Sequence, residues 1–193
     1  MNPSARRSLT YRWLRWRAQA MILFGRHAAA LAVFDEMLAR HPGDAYALAS
    51  RAHLRAQLGQ PEAARADYRQ LLDTHPDHAA ASWFNYGYLL EEAGEHAQAE
   101  QAFRRALALD PRLDRAWYGL GLVLIKTHRF DEAVEALKRN TELQPMSPYG
   151  WYQLARVHVD RHEPEEARRI IRHLKGFEPK VAAQLERETG LAV

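Results

Sequence analysis

A repeat of thirty-four residues constrains this sequence more than any other feature. Three series of residues recur at that interval: Trp83, Trp117 and Trp151; Ala99, Ala133 and Ala167; and Phe103, Leu137 and Ile171. A fixed period between about twenty and fifty residues indicates a chain built from one repeated supersecondary unit. Such a chain buries its core between neighbouring units instead of around one centre.

Each unit is predicted to contain two helices. From Trp117 onward, apolar residues recur at helical spacing, the pattern breaks near His128, and it then resumes until Pro145 stops it. Gly59 and Gly94 stand at the equivalent break in two other units. Because glycine takes a positive φ at little cost, it ends a helix easily. The unit therefore has the order helix, turn, helix, stop.

These residues resemble the tetratricopeptide repeat, whose unit reads Trp, two residues, Leu-Gly, two residues, Tyr, then Ala, three residues, Phe, then Pro. The third unit carries Trp83, Tyr86, Gly87, Leu90, Ala99, Phe103 and Pro111, and the fourth Trp117, Leu120, Gly121, Leu124, Ala133, Leu137 and Pro145. The match is looser in the first two units, where Arg17, Arg51 and Arg55 occupy normally apolar positions. The resemblance implies an all-α fold, a right-handed α-solenoid of about five such repeats with a C-terminal capping helix.

The repeat positions also divide the chain into segments. A mobile basic arm is expected at residues 1–10, where no periodicity is present. The repeats are expected at about 11–44, 45–78, 80–113, 114–147 and 148–181, and the capping helix and tail at 182–193. One extra residue enters between Pro76 and Pro111, which are thirty-five residues apart instead of thirty-four. Loops tolerate such an insertion at small cost.

Composition limits the kinds of site and the cellular compartment that we expect for this protein. The chain has no cysteine, which excludes disulfides and cysteine metal sites. The net charge of +3 is uneven, because six arginines precede the first acidic residue, Asp35. No run approaches the roughly eighteen apolar residues that a membrane-spanning helix needs, and the early arginines do not suit a secretory signal. We attribute the excess of arginine over lysine to genome composition and expect a cytoplasmic, bacterial protein.

No catalytic constellation is found. The segment from Gly119 to Lys126 fails as a phosphate loop, because Ile125 stands where that loop needs glycine. His158 and His162 share a helical face but have no third ligand for a metal. There is no Gly-x-Ser-x-Gly elbow and no thiol nucleophile. We therefore expect no enzymatic activity, no cofactor and no metal.

The resemblance also implies where a partner binds. In tetratricopeptide proteins the first helix of every unit lines the concave face, and ligands usually lie along it. Transferred by repeat position, the candidate groove residues are Tyr46, His53, Phe84, Asn85, Tyr88, Arg115, Tyr118, Leu122, Ile125, Tyr149, Tyr152 and Arg156. Tyrosine and arginine often carry binding energy at protein interfaces. These positions favour a grip on an apolar or amphipathic segment of another protein, with Arg115 and Arg156 orienting an acidic group.

Two alternatives to an open groove remain. The groove side chains could pack on one another or be covered by the chain's own arm or terminal helix. A clamp for the C-terminal carboxylate of a chaperone is disfavoured, because only Asn85 and Arg115 match its basic and amide positions.

The predicted function is a non-catalytic adaptor or scaffold that binds another protein or a peptide. The alternative function is a peripheral binder of an anionic membrane surface or, less favoured, of nucleic acid through the Arg-rich N-terminus.

Overall fold

The computed structural model describes the backbone of residues 3–193 and the side chains of residues 9–193. Over that range the chain forms eleven α-helices and no strand. The helices are α1 (Pro3–Leu23), α2 (His27–Arg40), α3 (Ala45–Gln57), α4 (Pro61–Thr74), α5 (Ala80–Glu92), α6 (His96–Leu109), α7 (Asp114–Lys126), α8 (Phe130–Leu143), α9 (Pro148–Asp160), α10 (Pro164–Lys175) and α11 (Pro179–Thr189). None of these described helices is both long and apolar enough to cross a bilayer. The predicted all-α fold is confirmed.

The chain forms two compact units, which divide within α5 between Tyr86 and Gly87. In the first unit α1 packs on α2, α2 on α3, and α3 on α4. In the second unit each helix from α6 to α10 packs on the next one, and α9 also contacts α7 and α11. In the described part of the chain the helices follow one another as five consecutive pairs, from α1 with α2 to α9 with α10, and α11 follows the last pair.

Both ends of the repeat region differ from the expected boundaries. Helix α1 begins at Pro3 and therefore covers most of the segment 1–10, which we expected to precede the first helix as an arm. Proline is well suited to the first turn of a helix, since the amide that it lacks would be unpaired there. Met1 and Asn2 lie outside the described residues. Helix α11 begins at Pro179 instead of residue 182.

The turn inside each repeat uses a left-handed residue. Gly25, Gly59, Gly94, His128 and His162 have φ values of 67°, 70°, 77°, 57° and 61°. Glycine adopts this conformation readily, whereas a residue with a Cβ atom is strained by contact with its own backbone. The first three repeats therefore satisfy the turn with the residue that suits it, and the last two place histidine there.

Close contact between the two helices of a repeat explains the small residues of the motif. In the second unit a Cβ atom at Gly87 would lie 2.9 Å from Cε1 of Phe103, and one at Gly121 would lie 2.8 Å from Leu137. Both large side chains are fully buried. Glycine on the first helix therefore makes room for the large residue on the second, and the alanines of the motif are buried for the same reason.

The tryptophans of the motif join the third, fourth and fifth repeats to the end of the repeat that precedes each of them. The indole Nε1 of Trp117 donates to the carbonyl oxygen of Pro111 at 2.9 Å, and Trp151 donates to Pro145 at 2.8 Å. Trp83, on α5 at the start of the third repeat, donates to the carbonyl oxygen of Pro76 at 2.7 Å. We call these three contacts the Trp–Pro bonds. They connect the stop signal of one repeat with the start of the next.

The arginines at normally apolar positions are neutralised by acids on neighbouring helices. The guanidinium of Arg51 donates twice to buried Asp67, at 2.9 and 2.6 Å, and once to Asp35 at 2.7 Å. Arg55 donates to the same Asp67 carboxylate at 2.8 Å. Burial by itself would lower the pKa of Arg51, but the hydrogen bonds to both carboxylates raise it above its ordinary value. An ionic network thus replaces apolar packing between α2, α3 and α4.

Candidate partner-binding face

In the first unit the predicted groove residue Tyr46 is covered by its neighbours. Cζ of Arg15 lies 4.0 Å from the centre of the Tyr46 ring, and the ring of Phe34 meets it edge-on at 6.2 Å between centres. Tyr11 lies beside the same arginine, and burial together with a hydrogen bond to Asp44 raises the pKa of Tyr11 to about 12. Tyr46 is half-buried as a result.

The other candidates of the first unit are placed differently. His53 is exposed on α3, and Phe84 is half-buried on α5. The side-chain amide of Asn85 donates to the hydroxyl of Tyr68 at 3.1 Å. Burial raises the pKa of Tyr68, and the bond from Asn85 acts in the opposite direction. Asn85 is therefore engaged inside the unit and does not point to a partner as a free clamp residue would.

In the second unit the candidates on α7 line one side of a shared face. Arg115 is exposed near the start of this helix, and Tyr118, Leu122 and Ile125 follow it at half-buried positions. Their spacing of three, four and three residues places them on one side of the helix. Tyr88 on α5 is exposed and donates to Glu92 at 2.8 Å, a bond that raises its pKa.

Two clefts flank Tyr149 at the start of α9. The side chain of Tyr149 is 70% exposed. Cleft A has a volume of about 280 Å³. Its lining residues are Asp114, Arg115, Tyr118, Asn140, Gln144, Ser147 and Tyr149. Cleft B, of about 260 Å³, is lined by Pro148, Tyr149, Tyr152, Val181 and Gln184. An exposed aromatic ring between two concave sites can contact a ligand on both of its faces.

Tyr152 and Arg156 lie beside a third cleft. The Tyr152 hydroxyl donates to Glu188 of α11 at 2.6 Å, which raises the pKa of the phenol and lowers that of the carboxyl. Cζ of Arg156 lies 5.8 Å from the Tyr152 ring. Cleft C has a volume of about 330 Å³. It is lined by Arg156, Val159, Asp160, Glu188 and Thr189. The terminal helix thus contacts part of this face and leaves Tyr149 exposed.

The structure adds lining residues that the repeat pattern did not single out. Asn140 is buried on α8, and its amide donates to the carbonyl of Asp114 at 2.9 Å, so that it forms the floor of cleft A. Val181, Gln184 and Glu188 of α11 line clefts B and C. Their spacing of three and four residues is that of the other stripes and could have indicated them.

The histidine pair of the fifth repeat does not form a metal cluster with other ligands. Nδ1 of buried His158 lies 2.7 Å from a carboxylate oxygen of Glu163, and this contact lowers the pKa of Glu163. Among residues that the structure describes, no group of three or more histidine or acidic side chains is arranged to hold a metal ion. His158 acts as a buried polar link between α9 and the start of α10.

The repeated helix pairs and their shared aromatic positions define an α-helical repeat protein. A family model described as tetratricopeptide repeat matches residues 4–45 and 50–114, and two further models with the same description match residues 90–152 and 148–173. The chain belongs to the tetratricopeptide repeat family. No curated protein matches the sequence.

Solved structures support the same fold. The MamA protein is 19% identical, with a TM-score of 0.81, and the match covers 93% of this chain and 95% of that one. YrrB, described as a TPR protein with an unusual peptide-binding site, is 17% identical, with a TM-score of 0.81 and 88% of each chain covered. PilF of Pseudomonas aeruginosa is 22% identical, with a TM-score of 0.69 and coverage of 97% of this chain and 95% of that one. At these identities the likeness establishes the fold alone.

Proposed function

We propose that this protein is a non-catalytic adaptor that binds an amphipathic segment of another protein on the second unit. The observation that carries the proposal is Tyr149, which is 70% exposed between cleft A and cleft B. An exposed aromatic ring that lies between concave sites is typical of a binding surface. YrrB, whose fold is similar, is described as having a peptide-binding site.

The lining of the clefts indicates the chemistry of the segment. Tyr118 and Tyr152 provide ring surface on either side of Tyr149, which suits apolar side chains. Arg115 in cleft A and Arg156 in cleft C provide positive charge at two sites along the same face. A guanidinium holds a carboxylate through paired hydrogen bonds. The proposed segment therefore carries apolar residues with an acidic residue close by.

A peptide library displayed on phage tests this proposal. The intact chain should enrich peptides that combine apolar residues with an acidic one. The replacement Tyr149→Ala should weaken the best synthetic peptide about tenfold or more, since buried tyrosines often dominate interface energy. Arg115→Gln should weaken only those peptides that contain the acidic residue. Calorimetric titration of each variant measures both effects.

Met146→Ala is the matched control. Met146 is 67% exposed and precedes α9 but lines none of the three clefts. Its replacement removes a similar amount of exposed apolar surface and should leave peptide affinity unchanged. If the selected peptides bind Tyr149→Ala as tightly as the intact chain, the proposed site is wrong.

A further inference from the structure

A second apolar surface lies in the first unit, on α1 and on Phe24, the residue that follows this helix. Five large side chains there are exposed, namely Leu9 by 53%, Trp13 by 53%, Trp16 by 66%, Leu23 by 80% and Phe24 by 74%. We call these residues the outer stripe. From Leu9 to Leu23 they recur at helical spacing along about 21 Å of helix, taking a rise of about 1.5 Å per residue. Two indole rings in water are a large apolar exposure for a single helix.

The outer stripe lies opposite the side by which α1 joins its unit. Leu14 and Ala18 are buried, with exposures of 2% and 0%, and α1 packs on α2. At 3.6 residues per turn, Trp13 and Trp16 lie on the far side of the helix from Leu14 and Ala18. Packing within the repeat therefore does not account for the tryptophans. They project from a ridge, since the exposed side of one helix is convex.

Positive charge borders the outer stripe. Arg12 is exposed on one flank, and on the other Cζ of Arg17 lies 5.2 Å from the centre of the Trp13 ring. Residues 1–34 contain six arginines and no aspartate or glutamate. Arg17 also pairs with Glu36 of α2 at 3.4 Å. An apolar ridge with exposed tryptophans and arginine flanks is typical of helices that lie in the interface of a bilayer.

We propose that the outer stripe of α1 docks on the surface of an anionic lipid membrane. Trp13, Trp16, Leu23 and Phe24 would enter the headgroup region while Arg12 contacts lipid phosphates. Charge disfavours a second copy of the chain as the occupant, because a two-fold contact would bring two arginine-rich helices together. A bilayer supplies both the apolar layer and the opposite charge. Its fluid surface can also deform around a convex ridge.

Vesicle sedimentation tests the proposal with the full chain. The probes are vesicles of phosphatidylcholine, with or without about one third of phosphatidylglycerol. The intact chain should sediment with the anionic vesicles and not with the neutral ones. Trp13→Ala combined with Trp16→Ala should weaken binding about tenfold or more, since two aromatic rings are lost from the interface. Arg12→Gln should weaken it about fivefold.

The matched variant replaces both tryptophans by phenylalanine. It keeps apolar rings and should retain binding, but it should lose the blue shift of tryptophan emission that vesicles cause in the intact chain. Tyr149→Ala in the second unit should bind vesicles normally. Because both tryptophans are exposed, circular dichroism of all variants should be unchanged.

Four results would overturn the proposal. The first is no binding to anionic vesicles, and the second is equal binding by the double alanine variant. The third is a dimer without vesicles that sedimentation velocity detects and that Trp16→Ala abolishes, which would assign the stripe to a second copy. The fourth is tighter binding to a DNA duplex than to vesicles, independent of the tryptophans, which would assign the charge to nucleic acid.

Discussion

Two histidines occupy a backbone conformation that glycine adopts more easily. His128 and His162 have φ values of 57° and 61° at the turn where earlier repeats have glycine. A left-handed conformation costs a residue with a Cβ atom about 1–2 kcal/mol. Replacement by glycine removes this cost, but glycine also loses more conformational freedom on folding, which offsets part of the stabilisation. The turn of the last two repeats is therefore held in place by the helices on either side.

His162→Gly should raise the free energy of unfolding by about 0.5–1 kcal/mol, the net of these two terms. His128→Gly should gain less, because the His128 ring also packs edge-on against Phe130 at 5.7 Å. Gly94→Ala, in the same turn of an earlier repeat, should lower stability. Urea unfolding followed by circular dichroism measures all three. Equal stability of His162→Gly and the intact chain would show that the turn is not strained.

At the level of the residue, the sequence pattern indicated the positions of the turns but not what the arginines do. Gly59 and Gly94 mark the breaks directly, because glycine is the residue that such a turn favours. The partners of Arg51 could not be predicted, since Asp67 lies on another helix and its position depends on how α3 packs on α4. Burial of an arginine only becomes favourable once that carboxylate is in reach.

At the level of the helix, the Trp–Pro bonds connect neighbouring repeats. Each bond fixes the start of a first helix relative to the end of the preceding repeat, through an indole N–H and a carbonyl that has no helical partner. Periodicity predicted both the tryptophans and the prolines as separate markers. It did not predict the bond between them, because a periodic pattern records spacing and not hydrogen bonding.

Trp117→Phe removes this bond and keeps an aromatic ring. We expect it to lower the free energy of unfolding by about 1 kcal/mol, the usual net value of one hydrogen bond. Trp16→Phe is the control, since Trp16 is 66% exposed and faces outward from α1. Thermal unfolding of the two variants gives the comparison. A Trp117→Phe variant as stable as Trp16→Phe would mean that water satisfies the carbonyl of Pro111 equally well.

Considering the whole molecule, the terminal helix is the element on which the last repeat depends. Leu185 and Ala182 of α11 are fully buried, and α11 contacts both α9 and α10. A repeat array needs a last helix whose outer side is polar, because otherwise the apolar side of the final repeat is open. The fold class could be predicted from the period, whereas the candidate face could be predicted only in part, since α11 lies outside the repeat.

A chain that ends at residue 176 lacks α11 and should self-associate, because it exposes the apolar surfaces of α9 and α10. Its thermal unfolding temperature should also fall. Sedimentation velocity and a thermal scan check the two effects. Removal of Leu191–Val193 alone leaves α11 in place and serves as the control. A truncated chain that stays monomeric with the same unfolding temperature would show that α11 is not a cap.

The Trp–Pro bonds have a consequence for how such a chain lengthens. Their donor and acceptor belong to different copies of the repeat, six residues apart at Pro111 and Trp117 and at Pro145 and Trp151. An in-frame duplication of one thirty-four-residue period therefore creates a new indole donor and a new carbonyl acceptor together. Every added junction between repeats then has its Trp–Pro bond without a further mutation. Six residues after Pro42 and Pro179 stand Leu48 and Leu185, which have no side-chain N–H. The interior of the array is thus the part that gene duplication can extend without further mutation.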